Sequence, residues 1–351
     1  MTKLVLLGLC FLMVTGFGCG KKTPSVTLGG DELRTGATTA LEDTAESLGE
    51  DSTFSASNAI ALQAESETDA ATTGALDVTR TCTAGSAGAV TIAETWSGSA
   101  TKSVTRPKAT LASSLSVTGI QSRVWTPPTG QTLSCSINNR AKVRWTNDTL
   151  VSGLKLAVTT DRTRTRTLDV KTSKTTVSKA VQNVVKGTRN ITWAVGTTTA
   201  TTVARTKTVS SSVTRAVTTT TSGVAETLSY TVATKAGADL AVEVTRLIAD
   251  GSWVTKKVSS GTIVLTKADG TRVENTFKDV IFDASQDDPC LPVSGIISGV
   301  VYYLGETTAS KTYEINFGQS TDSSVAISED AGVATDAPEI QIQGCDLAVE
   351  N

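Results

Sequence analysis

Between Asp161 and Thr167 the chain alternates arginine and threonine without interruption, Asp161-Arg162-Thr163-Arg164-Thr165-Arg166-Thr167. A side-chain repeat of two belongs to an extended strand, so Arg162, Arg164 and Arg166 share one face and the threonines the other. Neither face is apolar, which excludes an ordinary core strand buried on both sides. The segments Val203-Ala204-Arg205-Thr206-Lys207-Thr208-Val209 and Val213-Thr214-Arg215-Ala216-Val217-Thr218 echo the pattern, and the same repeat puts Arg205 and Lys207 together. Threonine ladders can pack as a lean surface while the cations project into water. The expected product is a set of long antiparallel ribbons, or a sandwich, with a basic outer face.

Strand-like alternation extends well beyond this middle region. It starts at Leu76-Asp77-Val78-Thr79-Arg80, returns at Ala89-Val90-Thr91-Ile92, and is punctuated by turn residues about every ten positions. Thr262 to Lys267 and Thr271 to Phe277 flank Asp269-Gly270, which predicts a hairpin closed by a type I′ turn; Asp250-Gly251 marks another turn. Threonine and valine favour strands through their branched β-carbons. Aromatic residues make up 4% of the chain, so the core is expected to be thin and anchored by the five tryptophans, three of them in the triplets Arg123-Val124-Trp125, Val143-Arg144-Trp145 and Ile191-Thr192-Trp193. The predicted fold class is all-β, with antiparallel threonine-rich sheets that are sandwich-like or elongated. A membrane-spanning barrel fits poorly, because its lipid-facing positions would be Thr, Ser or Ala and no aromatic girdle is visible.

The first residues read as an export signal. Lys3 precedes an apolar run from Leu4 to Phe17 that is too short to span a membrane permanently, and small residues follow. Gly16, Phe17, Gly18 and Cys19 resemble the lipobox of bacterial lipoproteins. That resemblance implies a lipidated, palmitate-bearing Cys19 as first residue of the mature chain and a membrane partner reached through the lipid. Gly20 and Lys21 in place of an aspartate after Cys19 imply the outer membrane, on its periplasmic or exposed side. From Cys19 to about residue 75 the composition is that of an acidic, flexible and disordered stalk, with Ala40 to Leu48 and Ala56 to Glu67 as short helical candidates. The body then divides into a basic threonine-rich β region, 76–222, and an acidic hairpin-rich β domain, 223–351.

Cysteine parity agrees with export. With Cys10 lost in the leader, five cysteines remain, and a lipid on Cys19 leaves Cys82, Cys135, Cys290 and Cys345 to pair in an oxidising compartment. Three connectivities are possible. Cys82 with Cys135 and Cys290 with Cys345 is favoured, since each pair closes a loop within one half of the chain. The absence of CxxC spacing and of any histidine argues against zinc.

A net charge of −2 conceals strong segregation: residues 20–100 carry −8, 101–219 carry +16 and 220–351 carry −11. The basic middle predicts either a polyanion-binding face, with Arg162, Arg164, Arg166, Arg205 and Lys207 as its cations, or pairing with the acidic neighbours. For an exported protein the polyanion is an anionic glycan or phosphate polymer of the envelope; nucleic acid is not the expected partner. Without histidine, Ser-His and Cys-His chemistry is excluded. Two-carboxylate glycoside hydrolysis is the competing reading, with Glu226, Glu243, Glu274, Asp279, Asp283 and Glu314 as candidates. Asp283, Asp287 and Asp288 offer hard oxygen ligands suited to calcium. No cofactor motif is present, and the expected role is a structural or adhesive envelope module without enzymatic activity.

Overall fold

The structure, a computed structural model, describes residues 71–106, 108–135, 147–286, 292–317 and 326–329. The predicted leader, Cys19, the two helical candidates, Trp145, Asp287, Asp288, Cys290 and Cys345 lie outside the described residues.

All the strands among the described residues belong to one antiparallel sheet. They are β1 (Ala71–Ala84), β2 (Val90–Arg106), β3 (Ala109–Thr126), β4 (Lys155–Thr172), β5 (Thr176–Thr198), β6 (Thr202–Thr221), β7 (Val224–Thr234), β8 (Leu240–Leu247), β9 (Trp253–Lys267), β10 (Arg272–Asp283), β11 (Pro292–Tyr302), β12 (Lys311–Asn316) and β13 (Ala326–Glu329). Each pairs with its neighbour in sequence, except that β7 and β8 share one lane between β6 and β9. Among the described residues the α-helical turn α1 (Asp148–Val151) is capped by Asn147, whose side chain accepts from the Leu150 amide, and a 3-10 turn spans Ser86–Gly88. The 23 residues of β5 reach about 75 Å at the rise of an extended chain, so the elongated form of the expected all-β fold is the one adopted. Strand β1 also takes in residues 71–75, which the composition had assigned to the stalk.

Local sequence explains the turns. Ser222-Gly223 joins β6 to β7 with φ of 50° and 87°, the pair of positive values that a two-residue type I′ turn demands. The change of composition near residue 222 therefore coincides with a tight turn inside a continuous sheet. The Asp269-Gly270 hairpin forms with Thr266 opposite Arg272, as expected, but its turn is not type I′: Gly270 alone has positive φ, 85°. Asp269 instead uses its carboxylate to accept from the Thr271 amide at 2.8 Å, which favours a longer loop closed by the glycine. Asp250 and Asp283 make the same turn with Ser252 and Ser285.

These hydrogen bonds hold the Asp250, Asp269 and Asp283 carboxyls below their ordinary range, and the hydrogen-bonded Lys257 ammonium does so for Asp279. A depressed folded pKa gives stability that is complete above the unfolded value and is lost as pH falls through the folded one. Chemical denaturation midpoints should thus stay level from neutral pH to about 5 and decline below about 4, and Asp269→Asn should flatten part of that decline.

The core lies on one face of the sheet. Its residues run from Val90 and Ile92 on β2 through Leu156, Ile191, Val209 and Val258 to Ile297 and Ile315, and Phe277, Val280, Ile297 and Ile315 are 0–1% exposed. A flat single layer would leave that face wet, so the sheet curls around its own apolar side. Trp125 and Trp193 stack there with ring centroids 5.4 Å apart, beside Leu150, Val151 and Leu154 from the α1 segment. The curl is helped by a line of positive φ across three strands, at Gly261, Asp279 and Gly295. A Cβ on Gly295 would lie 2.4 Å from the Asp279 carbonyl oxygen, so only glycine allows these strands so close. Cys82 and Cys135 form a disulfide, the pairing favoured from the sequence, tying β1 to the segment that follows β3.

Candidate anion-binding face

The register of β4 places its arginines on an unexpected side. Pairing runs without a shift from Lys155 to Thr172 against β3 and from Lys155 to Lys171 against β5, so parity is preserved along the strand. Leu156 and Val158 belong to the core face, and Arg162, Arg164 and Arg166 continue that face. The threonines form the outer surface. This reverses the expected basic outer face: at one end of the strand apolar residues claim the even positions, and a period of two then carries that side to the other end.

Beyond the core, the same face becomes a lattice of cations set among aliphatic residues. Arg162 lies between Gly119 and Val185, Arg164 between Val117 and Asn183, and Arg166 between Leu115 and Val181. Arg215 continues the Arg162 row, opposite Val185 and Tyr230, while Arg189 and Lys179 stand on β5 on either side of the rows. Rows repeat about every 6.7 Å along a strand and about every 4.8 Å across it. The three β4 arginines are half-buried.

The electrostatics are one-sided. On the strands β1–β7 the acids of this face are Glu94, which Arg80 and Arg123 already neutralise, and Glu226. The outer face is balanced, with Lys155, Lys171 and Lys186 against Asp77, Asp161 and Asp169, and Lys186 pairs with Asp161 at 3.0 Å. Burial, and secondly the Arg166 guanidinium, lowers the pKa of Arg164. Among the described residues Arg164 and Arg166 have no carboxylate partner, and the Arg189 Nε is buried without an acceptor. Repelling, partly desolvated guanidinium groups in fixed rows bind added anionic groups more strongly than isolated surface cations do.

The structure separates the five predicted anion-binding residues. Arg205 and Lys207 share the core face, but they are 3% and 5% exposed and lie inside the body. Arg205 donates to the Ala204 carbonyl at 2.8 Å and to the Asp148 carboxylate of α1. A polymer at the surface cannot reach either cation. The sequence repeat specifies a face, but depth depends on which neighbours cover each end of the strand. Arg189 lies outside the repeat, and Arg215, though in a segment that echoes it, was not counted among the anion-binding cations; only strand register brings the two beside Arg162.

The acidic candidates disperse. Glu274 accepts from Lys235 at 2.7 Å, Asp279 pairs with Lys257 at 2.8 Å, and Asp283 is held in its turn by Ser285. Glu226 is exposed on β7, Glu243 sits on the outer side of β8, and Glu314 is exposed on β12. Among the described residues no group of three Cys, Asp or Glu side chains is placed to hold a metal; Asp283 is described, whereas its calcium partners Asp287 and Asp288 are not. Set against known proteins, the chain matches no family model, no curated protein and no solved structure.

Proposed function

We propose that this protein is a non-enzymatic module of the bacterial cell envelope, exported and anchored in the outer membrane by lipid on Cys19, that binds anionic glycan or phosphate polymer through the half-buried arginine face of β4 and β5. The observation that carries the reading is the segregation of Arg162, Arg164, Arg166, Arg189 and Arg215 on one side of the sheet with few acids beside them. Multiple cations in register give avidity for a chain of anionic groups, and the binding weakens steeply with salt. A rigid sheet also presents these charges without the ordering cost of a flexible basic tail.

Two experiments test it. Arg162→Ala/Arg164→Ala/Arg166→Ala should abolish salt-sensitive retention on an immobilised polyphosphate or sulfated-dextran column, and unchanged elution removes the face from consideration. Wild type should fractionate with membranes and carry an acyl mass on its N-terminal peptide, with Cys19→Ala shifting to the soluble fraction. Soluble behaviour of both proteins, with no acyl mass, would contradict the anchor.

A further inference from the structure

On β7 the Arg162 row ends at Tyr230 and the Arg164 row at Leu228, while the Arg166 row ends at exposed Glu226, which stands between Val224 and Leu228 on the same face. Val177, Val224 and Leu228, on the same face of β5 and β7, are 47%, 68% and 53% exposed. Val177 stands two residues before Lys179 on β5, Val224 lies in the Lys179 row across Thr221, and Leu228 lies in the Arg164 row across Asn183 and Val217. Strand β9 pairs with β7 only from Tyr230 to Thr234, so this corner of the sheet extends past its neighbour. Exposed aliphatic side chains grouped on one face, rather than scattered, mark a surface that meets something apolar.

Resting on the anion-binding reading above, we propose that the occupant of this face is an anionic phospholipid. Its phosphate sits on the guanidinium groups of Arg162, Arg164 and Arg166, and its acyl chains lie over Val177, Val224 and Leu228. A soluble phosphate polymer neutralises the cations but leaves the aliphatic corner in water. A neutral lipid covers the corner but leaves the guanidinium groups facing each other. A phosphate-bearing lipid satisfies both halves, and the spacing between rows puts the two kinds of contact within the length of one lipid molecule.

The test uses the full chain in nonionic detergent micelles doped with equimolar dioleoyl phosphatidylglycerol and dioleoyl phosphatidylcholine, with the co-purified lipid quantified by mass spectrometry. Any anchor on the chain is common to every sample. Phosphatidylglycerol should be enriched several-fold over phosphatidylcholine in the wild type. Val177→Ser/Val224→Ser/Leu228→Ser should erase that enrichment while leaving retention on the polyphosphate column unchanged; the arginine triple variant should lose both. No enrichment in a wild type that still binds polyphosphate overturns the lipid and leaves the polymer reading standing. Enrichment that survives the serine variant overturns the apolar half of the site. Loss of both activities in the wild type overturns the anion-binding reading itself.

Discussion

Replacing both cysteines of the Cys82–Cys135 bridge with alanine is expected to lower stability by about 4 kcal/mol, read as a fall in the denaturant midpoint together with a steeper slope, because the unfolded chain without the cross-link exposes more surface. The bridge spans 53 positions, and closing a loop of that size removes much of the freedom of the unfolded chain. It also acts at one edge of the sheet. Strand β1 pairs only with β2 among the described strands and contributes few core side chains, so without the bridge it has little beyond its ladder to hold it. The segment after β3 is tied at the same place, with the Leu133 amide donating to the Gly88 carbonyl at 2.9 Å. Amide exchange in β1 should therefore accelerate more than exchange in β9 and β10. A loss below about 1 kcal/mol, or exchange that rises uniformly, would show that the bridge does not hold this edge.

The second large effect is expected at Glu94, a carboxylate 2% exposed on the face that later becomes cationic. One of its oxygens accepts from Arg80 Nε at 2.9 Å and from Arg123 Nη1 at 3.0 Å. Its Oε2 is buried with no hydrogen-bond partner. Glu94→Ala leaves Arg123 largely desolvated beside a second guanidinium, so a loss of about 3 kcal/mol is expected, in the range found when one member of a buried pair is removed. The half-open Arg80 contributes little to that figure, because solvent screens it. Glu94→Met combined with Arg123→Met replaces the charges with apolar volume and should recover most of the loss. A double variant as unstable as the sum of the single ones would mean that the residues act independently.

How much was legible beforehand depended on whether the controlling interaction was local. The Thr262 to Phe277 hairpin could be read because its alternation and its Asp-Gly turn lie within fifteen or so residues, and the pairing followed. The turn type could not be read so well, since Asp269 had a second use for its carboxylate. The β4 arginines were correctly placed on one face, yet which face was hidden inside the repeat: threonine and arginine are both polar, and only the apolar residues flanking it, Leu156 and Val158 at one end and Leu168 and Val170 at the other, break the tie. Trp125 and Trp193 were expected as separate anchors and instead stack across an intervening strand, a contact set by register. Buried Arg205 and Lys207 were read as surface cations because nothing in their segment reveals the cover supplied by α1 and β8.

The central claim is that anion binding belongs to one face of the sheet and does not follow from the basic middle of the chain as a whole. The most direct measurement compares two variants that each remove three positive charges from opposite sides of the same strands: Arg162→Gln/Arg164→Gln/Arg166→Gln and Lys155→Gln/Lys171→Gln/Lys186→Gln, eluted by salt from immobilised polyphosphate. The arginine variant should elute at far lower salt and the lysine variant close to the wild type. Equal shifts for the two would contradict it, leaving net charge alone as the cause of retention.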